Sequence, residues 1–112
     1  FETPSERLLE LSLSYYDFAL NNTELYKLMF GIGINCKDNL VSVSEELVSI
    51  IKNEILEKLS NENSDSLFIN WWALSHGFVL IALMKKNQID EIKNLKIQFR
   101  EALKRFIKSI NI

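Results

Sequence analysis

Leu67-Phe68-Ile69-Asn70-Trp71-Trp72-Ala73-Leu74-Ser75-His76-Gly77-Phe78-Val79-Leu80-Ile81-Ala82-Leu83-Met84 is the stretch on which the fold turns. On a wheel of about 100° per residue, Phe68, Ser75, His76, Val79 and Leu83 fall within about 60° of Trp72. Ala73, Leu74, Gly77, Ile81 and Met84 lie on the other side, where a surface helix of a monomer carries charge. Both faces therefore call for burial. The remaining helices of one chain cover one face, and the second face is expected to pack on another copy. Ala73-x-x-x-Gly77, a pair of small residues one turn apart, allows a second helix to approach closely. A monomer with a crowded core is the alternative.

Working outward, the periodicity gives helices on every side. Thr3-Pro4-Ser5-Glu6 has the form of a capping box, with proline at the first helical position where no donor is missed. Leu8, Leu11, Tyr15 and Phe18 follow at three- and four-residue steps, and Leu9, Leu13, Tyr16 and Leu20 widen the stripe. Asn21-Asn22 ends that helix, and Asn22 is placed to cap a short second one, Thr23 to Phe30, before Gly31-Ile32-Gly33. Gly31 to Val41 reads as the main loop. Ser42 with Glu45 restarts a helix whose stripe is Leu47, Val48, Ile51, Ile55 and Leu59. The fourth helix starts near Ser64-Asp65 and ends at Lys85-Lys86, charges that suit its two ends. Asn87 is the expected cap of the last helix, where Ile92, Leu95, Phe99, Ala102 and Phe106 recur as a bundle seam. The reading is all-α, five helices, one domain over residues 1–112.

Composition agrees and narrows the function. Apolar residues make up 47% of the chain against three glycines and one proline, a balance that favours long regular elements over turn-dense β architecture. Thirteen basic against fifteen acidic side chains leave a net charge of −2, so nothing steers the whole molecule to nucleic acid or anionic lipid. A single cysteine excludes an internal disulfide, and no signal peptide is apparent, so a cytoplasmic setting is expected. The run from Leu67 to Met84, interrupted by Asn70, Ser75 and His76, reads as too short for a comfortable membrane span, and no membrane partner is expected. Phe1-Glu2 is not a translation start, so an upstream segment is expected.

No catalytic or metal-binding constellation stands out. One His and one Cys forty residues apart offer no metal-ligand spacing, and Cys36 beside Lys37 reads as inert. Gly31-Ile32-Gly33 follows a helix and lacks a third glycine, so it is a turn and not a phosphate cradle. Glu45-Glu46 and Asp90-Glu91 sit in first helical turns, where the helix dipole accounts for them. The chain is read as a non-enzyme with no cofactor. Trp72 and His76, four apart on one face, put a polar tip in an aromatic wall. Tyr15, Phe18, Tyr26, Met29, Phe30, Phe68 and Trp72 read individually as core, and together as the lining of an apolar pocket with a few polar tips.

Two motifs now point to a family. Pro4-Ser5-Glu6-Arg7-Leu8-Leu9, with Tyr15-Tyr16-Asp17-Phe18-Ala19-Leu20-Asn21-Asn22-Thr23-Glu24-Leu25-Tyr26-Lys27-Leu28-Met29-Phe30-Gly31, resembles the start of the C-terminal domain of TetR-type regulators. Trp72-Ala73-Leu74-Ser75-His76-Gly77 is similar to the Trp-x-x-x-His-Gly signature of the WHG subgroup. The resemblance spans Thr3 to about Leu83; Thr23 stands where the pattern usually has proline, and Trp71 is an extra aromatic. It implies an orthogonal five-helix bundle that binds a small, largely apolar effector and forms a homodimer through a four-helix interface from the last two helices. It further implies that operator DNA is read only by an N-terminal helix-turn-helix outside this chain. The candidate ligand set is then Tyr15, Phe18, Met29, Phe30, Ile51, Ile55, Phe68, Trp72 and His76. The candidate dimer set is Ala73, Leu74, Gly77, Ile81, Met84, Phe99, Ala102 and Phe106. The competing reading is a helical interaction module with a solid core and no small-molecule ligand.

Overall fold

The computed structural model describes residues 3–29, 49–59, 63–85 and 88–110, and among these every element is helical. They are α1 (Pro4–Asn21), α2 (Thr23–Met29), α3 (a π-helical stretch, Ile50–Leu56, running into an α-turn, Glu57–Leu59), α4 (Ser64–Met84) and α5 (Ile89–Ile110). The Gly31 to Val41 loop with Cys36, the Ser42/Glu45 helix start, Leu47, Val48, the Lys86 end of α4 and the Asn87 cap lie outside the described residues.

α1 begins as its sequence dictates. The Thr3 hydroxyl accepts from the Glu6 amide at 3.1 Å, and Glu6 Oε1 accepts from the Thr3 amide at 3.3 Å and from its hydroxyl at 2.9 Å. A cap of this kind is worth about 1 kcal/mol, because it satisfies donors the first turn leaves unmade. At the other end Asn22 looks backwards rather than forwards. Its side-chain Nδ2 donates to the Phe18 carbonyl at 3.0 Å, closing α1, while its own carbonyl accepts the Tyr26 amide at 2.9 Å and opens α2. α4 is capped by Asn63, whose side chain accepts from the amides of Asp65 and Ser66.

The π geometry of α3 is a departure from the α-helix expected there. Opening the turn still leaves Ile51 and Ile55 buried and brings Leu56 in beside them, so the apolar stripe survives the change of pitch.

α4 is the axis of the domain and packs on α1, α3 and α5. Its buried residues are Leu67, Trp71, Ser75, Val79 and Ala82, which centres the inner face on Trp71 rather than Trp72. The reason is polar as well as apolar. Trp71 Nε1 donates to Ser12 Oγ of α1 at 2.8 Å, and Ser12 passes its proton to the Leu8 carbonyl at 2.6 Å, so a buried indole N–H and a buried hydroxyl satisfy one another. α5 is tied on by the Tyr16 hydroxyl, which donates to the Ile92 carbonyl at 2.8 Å, and by Phe99, which lies against Tyr16 and Phe78 with ring centroids 5.7 and 5.1 Å away. Lys85 and Glu91 pair at 2.8 Å across the α4–α5 junction.

No charge interrupts α4 from Ser66 to Met84, and by length and composition the helix is long and apolar enough to cross a membrane. The expectation that this run is too short is therefore corrected. Three other helices pack on it, and an apolar strip of Ile69, Ala73, Leu80, Ile81 and Met84 stays exposed.

Candidate functional site

The candidate site is built by three helices that each bring one polar tip. α1 contributes Tyr15, α2 contributes Tyr26 and α4 contributes His76. The Tyr15 and Tyr26 hydroxyls are 2.7 Å apart, and the Tyr26 hydroxyl is hydrogen-bonded to His76 Nδ1. Trp72, one turn before His76, stacks on the imidazole with centroids 4.8 Å apart and planes 18° from parallel. Around this chain the rings close up. Tyr15 meets Tyr26 edge-on at 5.7 Å and Trp71 at 5.8 Å, while Phe68 lies 5.7 Å from Trp71.

The electrostatics follow from burial. Desolvation holds the His76 imidazole below its ordinary range, which favours the neutral ring. It pushes the Tyr26 hydroxyl up to about 12, and pushes Tyr15 well above the ordinary range for a phenol, where the neighbouring Tyr26 adds to the effect. At neutral pH both phenols therefore keep their protons and the imidazole is uncharged, with the donor in the Tyr26–His76 bond set by the ring's tautomer. Nearby, the Ser75 hydroxyl is fully buried and makes no hydrogen bond to the described residues.

Of the nine candidate ligand residues, Tyr15, Trp72 and His76 belong to this connected cluster, and Phe68 flanks it through Trp71. Ile51 and Ile55 are fully buried in the core on α3. Phe18 is half-buried near the end of α1. Phe30 and the Met29 side chain lie outside what is described. Tyr26, read from sequence as core and as part of an aromatic pocket wall but not among the nine, is the central link. The available signal was its hydroxyl, since a buried tyrosine needs a partner for its O–H.

The dimer candidates separate into two groups. Ala73, Ile81 and Met84 are exposed on α4, Met84 at 83%, and they are joined there by Ile69 and Leu80. Gly77 is half-buried, and a methyl group built on it meets nothing within 4 Å. Ala102 and Phe106 are half-buried at the border of the inner stripe of α5. Phe99 is 0% exposed because it fills the space between Tyr16 and Phe78 inside the protomer, and Leu74, like Phe106, is half-buried against the protomer's own core.

Among the described residues no group of three or more His, Cys, Asp and Glu is placed to hold a metal. Comparison with family models, curated proteins and solved structures gives no match to this chain.

Proposed function

We propose that this chain is the ligand-sensing and dimerisation domain of a TetR-like transcription repressor acting in the bacterial cytoplasm. A small, largely apolar effector binds it and modulates DNA binding by a helix-turn-helix N-terminal to the chain. One observation carries the reading: the motif residues divide between two sides of α4. Trp72 and His76 turn into the polar-tipped aromatic cluster with Tyr15 and Tyr26, whereas Gly77 lies beside open space, on the same helix as the exposed Ala73, Ile81 and Met84. Effector bound among α1, α3 and α4 displaces α1, which alters the spacing of two DNA-reading heads across the dimer.

The test uses a Trp71→Phe chain, in which Trp72 is the remaining indole, titrated with a panel of apolar compounds while its fluorescence is followed. Saturable quenching by a compound is expected. Alanine at Trp72 or His76 is expected to weaken binding, read by calorimetry, about tenfold or more, with Gly77→Leu leaving it nearly unchanged. The reverse ranking overturns the assignment of faces.

A second reading, an interaction module with a solid core, is favoured by the tight burial of Tyr15, Ile51 and Ile55. It predicts no saturable response to any compound of the panel.

A further inference from the structure

The outer face of α5 carries a charge pattern with a centre. Asp90, Lys93, Ile97, Glu101 and Lys104 are all exposed, Ile97 at 62%. On a wheel of about 100° per residue the four charged residues fall within about 40° of Ile97, so the five form one straight stripe. Phe99 and Phe106, read from sequence as a seam for a second copy, lie about 160–180° away, against the protomer's own core. The helix itself pairs only part of the charge. Lys104 meets Glu101 at 3.5 Å, whereas among the described residues Asp90 and Lys93 enter no ion pair.

Counted outward from Ile97, Lys93 and Glu101 stand four residues away on either side, and Asp90 and Lys104 seven. Every charge has the opposite charge at the mirrored position. In an antiparallel pair of α5 helices with a two-fold axis at Ile97, a residue before Ile97 stands level with the residue equally far after it in the other copy. Lys93 then meets Glu101 of the second copy and Asp90 meets its Lys104, each pair occurring twice by symmetry. Ile97 meets Ile97, and Asn94 meets Arg100, so no like charges are opposed. A parallel pair in register sets all four charges against their own kind. Exposed ion pairs add little affinity each, but the penalty on the wrong arrangement selects the right one.

We propose that a second copy of this chain docks on the outer face of α5, antiparallel, with the two-fold axis at Ile97. This rests on the dimer reading above and adds to it the orientation and register of α5. It also moves the contribution of α5 from Ala102 and Phe106 to the stripe through Ile97.

Cysteine cross-linking of the full chain in a Cys36→Ser background reads the axis directly. Helices packed about 8–10 Å apart bring two residues on the axis within disulfide reach, so Ile97→Cys is expected to go almost wholly to a covalent two-chain species under mild oxidation. Lys108→Cys, on the same face but about 33 Å from its mate in this register, is expected to stay single. In sedimentation velocity, Glu101→Lys and Lys93→Glu are each expected to raise the dimer Kd about tenfold, and the two together to return it to within about threefold of the unmodified chain. These positions are exposed, so the protomer's helicity is expected to stay unchanged. A dimer that cross-links through Lys108→Cys, or through neither cysteine, or whose double variant is no tighter than the single ones, overturns the register and leaves the dimer standing. A chain that sediments as a monomer throughout overturns both.

Discussion

Replacing Ser12 with alanine tests how α1 is fastened to α4. Trp71 is buried and its Nε1–H has Ser12 Oγ as acceptor at 2.8 Å. Removing that oxygen leaves an indole donor in an apolar surround, at a cost of about 1–3 kcal/mol. The Leu8 carbonyl loses the Ser12 proton but keeps its place in the helix ladder, so it adds little, and alanine returns a few tenths through helix propensity. For a domain of this size a loss of 1–3 kcal/mol lowers Tm by about 4–12 °C. The decisive assay is a double-mutant cycle by urea denaturation, followed by far-ultraviolet circular dichroism. In a Trp71→Phe background no indole donor remains to be orphaned, so Ser12→Ala should cost less than about 0.5 kcal/mol, giving a coupling of about 1–2 kcal/mol. If Ser12→Ala costs the same in both backgrounds, or nothing in the first, the polar fastening is refuted.

Three further outcomes are expected. Because burial depresses the His76 imidazole, the unfolded chain binds the extra proton first; stability is therefore expected to fall as pH drops below the ordinary histidine value of 6.5, with a slope of at most about 1.4 kcal/mol per pH unit, and His76→Gln should flatten that limb of a urea-midpoint profile. Tyr26 has the opposite sense: raised to about 12, it contributes stability that is present below pH 10 and lost as pH rises through 10 to 12, so a Tyr26→Phe chain should show a smaller loss in an alkaline unfolding scan, the remainder coming from Tyr15 and Tyr16, which are raised in the same sense. Gly77→Leu should leave helicity and thermal stability of the protomer intact, since its Cβ meets open space, yet move the sedimentation profile from dimer toward monomer; an unchanged profile would place the partner elsewhere.

The parts of this fold that were legible in sequence are those fixed by local chemistry. Thr3-Pro4-Ser5-Glu6 announces a helix start because all its bonds close within four residues, and the apolar periodicity of α1 and α5 survives into their buried faces. What sequence did not reveal depends on distant partners. The wheel of α4 has no polar face to orient it, so nothing in the run distinguished Trp71 from Trp72 as the inward residue; Ser12, fifty-nine positions away, makes that choice. Phe99 looked like a seam residue for a second copy until Tyr16 and Phe78 enclosed it. The Tyr15–Tyr26–His76 chain joins three helices across sixty-one positions, and only the neighbouring Trp72–His76 pair had a visible spacing. The π pitch of α3 has no marker in Ile50–Leu56 that we can identify.

The two-sided account of α4 is tested most directly by native mass spectrometry of the chain incubated with the apolar compound panel. The account predicts a species of two chains that carries a bound compound, lost on His76→Ala with the dimer retained. Single chains without adduct across the panel would contradict it.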